Sequence, residues 1–85
     1  MKIKDGYLLR KVADSFVALS VGAENEGRVV RMNSTGAFMW ELLCKDCSVQ
    51  SIVDALVQKY QIDTATAEKA ANDFIEMLRK EDLLA

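Results

Sequence analysis

The residues most able to do chemistry in this chain are the thiols of Cys44-x-x-Cys47. At that spacing two cysteines can form half of a tetrahedral zinc site or a redox dithiol. Structural zinc wants four soft ligands, and the sequence contains no further cysteine and no histidine. A thioredoxin-like pair needs a strand before it and a helix after it. Here the motif falls at the end of a predicted helix, where the dipole disfavours a thiolate. The reading is Cys44 as a small core residue and Cys47 as a turn residue, with no metal. The acids Glu41, Asp54, Asp63, Asp73 and Glu76 are scattered. No two share an apolar setting that would drive their pKa values apart for acid–base work. There is no glycine-rich phosphate loop and no nucleophile elbow. The expectation is a protein that is not an enzyme and carries no cofactor.

Binding is the chemistry left. Arg28 and Arg31 flank the valines of a short β-prone segment, Arg28-Val29-Val30-Arg31-Met32. Such a segment is either a charged sheet edge that resists unwanted pairing or a docking edge for an extended peptide, with positive charge for acidic side chains. Eleven basic and thirteen acidic residues give a net charge of −2. That balance argues against a general nucleic-acid binder, which presents a basic face. No apolar run reaches the roughly 18 residues that span a bilayer, and Met1-Lys2-Ile3-Lys4-Asp5 is not a signal peptide. A cytoplasmic protein with no membrane partner is expected.

The elements that must position these residues follow from periodicity. With 85 residues the chain makes one domain, residues 1–85, around a modest core. Tyr7–Val12 and Ser15–Val21 read as two strands joined by a tight turn at Ala13-Asp14. Both faces of the second run are apolar, so the hairpin should lie against something. Gly22–Gly27 reads as a polar loop, and Arg28–Met32 as a third strand with Val30 and Met32 on one face. Asn33, Ser34 and Thr35 are candidate N-caps for a helix over Gly36–Leu43. That helix is apolar nearly all round and should be central, with Phe38 and Trp40 in the core. Ser48 caps a second helix, whose Val49, Ile52, Val53, Leu56, Val57 and Tyr60 form one stripe. Asp63 or Thr64 caps a third, with Ala67, Ala70, Ala71, Phe74 and Leu78 as its stripe, fraying near Glu81-Asp82. Strands followed by helices indicate α+β. Three strands cannot bury both faces, so an edge or groove must stay open. The last two helices also suit a winged helix-turn-helix.

The stretch Met32-Asn33-Ser34-Thr35-Gly36-Ala37-Phe38-Met39-Trp40-Glu41-Leu42-Leu43 resembles the L-N-x-T-G-A-x-[IVLM]-W-x-L-L signature of PqqD-like proteins. These are the peptide-recognition domains (RiPP recognition elements) of pathways that modify ribosomally made peptides. Phe16-Val17-Ala18-Leu19, the Ile52-Val53-x-x-Leu56 core and the Phe74-Ile75-x-x-Leu78…Leu83-Leu84 ending extend the likeness to nearly the whole chain. Met32 departs from the usual leucine, and Ser34 stands where Glu is common. The resemblance implies a three-stranded antiparallel sheet followed by three helices, winged-helix-like. It implies a peptide chaperone of natural product biosynthesis, which binds the leader of a precursor peptide by strand addition and presents it to a modifying enzyme, often a radical SAM protein. The strand positions carried over are Arg28, Val29, Val30, Arg31 and Met32. The groove positions on the third helix are drawn from Lys69, Ala70, Asp73, Phe74 and Met77. A monomer or weak homodimer is expected. The competing reading is a winged-helix nucleic-acid-binding or regulatory protein; the acids Glu68, Asp73, Glu76 and Glu81 oppose it, since they offset Lys69, Arg79 and Lys80.

Overall fold

A computed structural model describes residues 1–21 and 27–85. The loop expected at Gly22–Gly27 lies outside the described residues except for Gly27. The element order is β1 (Tyr7–Val12), β2 (Ser15–Ser20), β3 (Val29–Met32), α1 (Ser34–Leu43), α2 (Val49–Tyr60) and α3 (Thr64–Lys80). The strands pair antiparallel in the order β1-β2-β3, so β3 is an edge. Strands followed by helices make this the α+β fold expected.

Helix starts are fixed by side-chain caps. Asn33 accepts the Gly36 N–H at 2.8 Å, Ser48 the Ser51 N–H at 3.2 Å, and Asp63 the Thr66 N–H at 2.8 Å. Each satisfies an N–H that the first turn leaves without a helical partner. α1 therefore begins two residues earlier than its apolar run, because Asn33 takes the cap ahead of Ser34 and Thr35. α2 ends at Gln61, whose left-handed backbone (φ 54) stops the helix.

The hairpin turn places Ala13 at φ 56. A Cβ there meets the following carbonyl, at a cost of roughly 1–2 kcal/mol, so strand pairing holds this turn against its own residue type. In β2 one face, carrying the fully buried Ala18, packs beneath the helices with Leu9 and Val30. Trp40, Leu43, Ile52, Leu56, Leu78 and Leu83 are the largest fully buried side chains. Each contributes about 1.5–3 kcal/mol by leaving water. Trp40 meets Tyr7 edge-to-face at 5.7 Å, a favourable alignment of ring quadrupoles.

Three expectations need correction. Cys44 is exposed and Cys47 packs at the margin of the core, the reverse of the reading from sequence. Cys44 is the C-cap of α1, while the Cys47 N–H donates to the Met1 carbonyl at 2.9 Å and is drawn inward with that segment. Phe38 is only half-buried: it meets Tyr60 edge-on at 5.9 Å, with the Lys59 ammonium 5.0 Å from its ring centre. Finally, α3 ends at Glu81-Asp82 as expected, but its end is capped rather than frayed: the Glu81 N–H donates to the Met77 carbonyl at 3.0 Å. Asp82 takes φ 57, Leu83 is fully buried, and Leu84 bridges to the buried Ile3.

Candidate peptide-binding groove

The backbone of β3 defines the site. The Ser20 N–H donates to the Arg28 carbonyl at 3.0 Å, and the Val21 N–H to the Gly6 carbonyl at 2.7 Å. Even-numbered residues of β2 therefore turn their backbone groups toward β3, and odd-numbered ones toward β1. Ala18 stands opposite Val30 and Phe16 opposite Met32. In an antiparallel ladder this leaves the N–H and C=O of Val29 and Arg31 pointing off the sheet, unpartnered among the described residues.

α3 runs beside that edge, and the space between is a groove. A hollow of about 380 Å³ lies where β3 meets α1, lined by Arg31, Met32, Gly36, Met39, Phe74 and Met77 among others. A second, of about 250 Å³, follows β3 from Arg28 to Arg31 against Met77 and Glu81. Arg31 and Met77 line both, so the two hollows adjoin and together make up the slot. Gly36 makes the slot's floor possible. A Cβ on it would sit 3.0 Å from Met32 Cβ and 3.3 Å from Phe74 Cε1. Any side chain at this position would press on both walls, so the glycine lets α1 start close to them.

Charge divides between the walls. The Arg28 guanidinium crosses one end of the slot to the Glu81 carboxylate (2.9 Å) and the Glu81 carbonyl. That contact places a cation at the C-terminal, negative end of α3. The pair is partly exposed, and such pairs contribute about 1 kcal/mol or less. Arg31, in contrast, is exposed and makes no ion pair among the described residues. On the α3 wall Lys69 binds Asp73 at 3.0 Å, and Arg79 approaches Glu76 at 3.5 Å.

The structure brings Arg28, Val29, Val30, Arg31 and Met32 together with Ala70, Asp73, Phe74 and Met77 along this slot. Lys69 is not among the lining residues and reaches the rim only through Asp73. Arg28 differs from expectation: its charge is engaged by Glu81, which leaves Arg31 as the β3 arginine with no ion pair among the described residues. Sequence reasoning passed over Met39, Glu81 and Gly36 as lining residues. For Gly36 a signal existed, a glycine inside an otherwise apolar helix start; for Glu81 none did, since its partner lies 53 residues away.

Although Cys44 is exposed as a residue, partial desolvation of its thiol, and further the Glu41 carboxylate, push it up from its ordinary pKa, so it is a poor thiolate. No cluster of three or more cysteine and acid side chains that could hold a metal ion occurs among the described residues. No described helix is long and apolar enough to cross a membrane.

Comparison with known proteins agrees with this architecture. The family model of coenzyme PQQ synthesis protein D (PqqD) matches residues 16–84. A solved structure, TbiB1 in complex with the TbiA(beta) leader peptide, is 30% identical and superposes with a TM-score of 0.76, over 99% of this chain and 94% of that one. Comparison with curated proteins gave no match. With the match running from β2 through β3 and the three helices to the closing Leu83-Leu84 segment, and β1 and what precedes it left out, the chain belongs to the PqqD family.

Proposed function

We propose that this protein is a non-catalytic peptide-binding module that holds the leader of a ribosomally made precursor peptide as a fourth strand beside β3. The observation that carries this reading is the pair of outward backbone faces at Val29 and Arg31, set against an apolar slot. An extended peptide gains main-chain hydrogen bonds from such an edge, and the pockets beside it choose its side chains. Here the slot at Gly36, Phe74 and Met77 takes an apolar side chain, and Arg31 favours an acidic one. The leader peptide bound to TbiB1 supports the same ligand class. The bound precursor is then presented to a separate modifying enzyme in the cytoplasm, for which a radical SAM protein is the first candidate.

The test is a titration of the isotope-labelled chain with the leader of the precursor encoded beside it. Amide shifts concentrated at residues 28–32 and along α3 are expected. Shifts confined to α2, sparing both walls of the slot, would overturn strand addition.

A further inference from the structure

Among the described residues, no element packs over the second apolar face of the hairpin. Parity puts Leu8, Leu19 and Val29 in one cross-strand row of the outer sheet face, and Arg10, Val17 and Arg31 in the next. The helices cover only the opposite face, where Ala18 is fully buried. Of the exposed large hydrophobic side chains among the described residues, Leu8, Val12, Val21 and Val29 lie on this outer face, and only Val49 lies elsewhere. Apolar side chains gathered in this way mark an interaction surface rather than scattered exposure.

We infer that this outer sheet face is the docking surface for the enzyme that modifies the bound peptide, through an apolar patch on that enzyme rimmed by acidic residues. Charge selects this occupant over a second copy of the chain. The only charged side chains at the outward strand positions are Arg10 and Arg31, and no carboxylate stands among them. A second copy packed face to face would set arginines against arginines, whereas an acidic rim complements them. Position selects it too. A peptide added beside β3 extends the sheet, so its outward side chains lie level with Val29 and Arg31. A protein seated on this face touches the carrier and its peptide together. The inference rests on the strand-addition reading in this last respect only.

β1 is the edge opposite β3, so variants there separate the two surfaces. Arg10→Glu and Leu8→Gln each change an exposed residue and leave the slot intact. The experiment measures binding of the intact chain to the leader peptide of the neighbouring precursor. It then measures binding of the loaded chain to the purified modifying enzyme encoded with it, with sedimentation of the chain alone as a third readout. Both variants are expected to keep leader affinity within about twofold of the parent chain. Arg10→Glu should weaken enzyme binding about tenfold or more, mainly through the on-rate, and binding by the parent chain should fall with added salt. Unchanged enzyme binding in both variants overturns the inference. So does a parent dimer that the variants dissolve, which would assign the face to self-association, or a parallel loss of leader binding. Should the parent chain fail to bind the leader yet lose the enzyme on Arg10→Glu, strand addition falls and the outer face stands.

Discussion

Two proline substitutions one residue apart should have opposite consequences. Val30 turns its N–H toward β2, opposite Ala18, and its half-buried side chain packs on the core. Proline there removes a ladder hydrogen bond inside the sheet and puts a ring where the strands meet. A cost of about 3 kcal/mol is expected. For a domain of this size each kcal/mol shifts Tm by about 4–8 °C, so Tm should drop by roughly 12–24 °C. Val29 is exposed and turns its N–H outward, so proline there breaks no bond of the free protein. The loss appears on docking. One main-chain hydrogen bond contributes about 1 kcal/mol net, and the peptide carbonyl left facing a ring adds about 1 kcal/mol or more. Together these amount to roughly 2 kcal/mol, or about 30-fold in Kd. Thermal melts and calorimetric titration with the leader peptide read the two effects. A folded Val29→Pro variant that binds the leader as tightly as the parent would refute the edge assignment, and with it strand addition.

Gly36→Ala should lower stability by about 1 kcal/mol and weaken leader binding, both read by the same melts and titration. Its small gain in helix propensity is outweighed by contact with Met32 Cβ, which is anchored by β3, and with the largely buried Phe74. Ala13→Gly should stabilise by about 0.5–1 kcal/mol, because relief of the left-handed strain exceeds the added chain entropy; a higher Tm is the readout. Hydrogen bonds donated by Thr66, first from its side-chain hydroxyl and then from its backbone N–H, hold the Asp63 carboxyl below its ordinary range. A lowered folded pKa means stability fully present above the unfolded value of about 3.9 and lost as pH falls through the folded value. The Tm deficit of Asp63→Ala at neutral pH should therefore shrink below about pH 4. Cys44→Ser should change stability by no more than about 0.5 kcal/mol, since the side chain is exposed.

Much of this fold is local and therefore legible in the sequence. The stripe from Val49 to Tyr60 and that from Ala67 to Leu78 need only the 3.6-residue period; Ser48 is read directly from cap chemistry, and the other two caps are narrowed to Asn33, Ser34 or Thr35 and to Asp63 or Thr64, of which the structure takes Asn33 and Asp63. The open edge also follows, because three strands carrying one set of helices must leave something uncovered. What sequence left unsettled is long-range. Whether Val29 or Val30 turns its N–H outward depends on the pairing of Phe16 with Met32, and the alternation of side chains is the same in either case. Cys44 and Cys47 exchange roles because the first residues of the chain lie against the end of α1, with the Ile3 N–H donating to the Leu43 carbonyl at 2.8 Å. Nothing near the cysteines announces that contact. Arg28 reads as a free cation until the end of α3 is brought to it.

A free strand edge is ordinarily a hazard, because it templates pairing with any other edge. The features that confine this one also shape a slot for one strand. β3 offers only Val29–Met32, too short to pair strongly with another sheet. α3 stands beside it along the slot, where Met77 and Phe74 line the wall, so a second full sheet laid against β3 would meet the helix. The Arg28–Glu81 contact ties the start of β3 to the end of α3 and fixes the width of the slot at that end. If a peptide adds beside β3 as proposed, specificity falls to the far end, where Gly36 would set the depth available to an apolar side chain and Arg31 the charge that is welcome beside it. On the strand-addition reading, protection against aggregation and selection of a peptide are the same set of contacts.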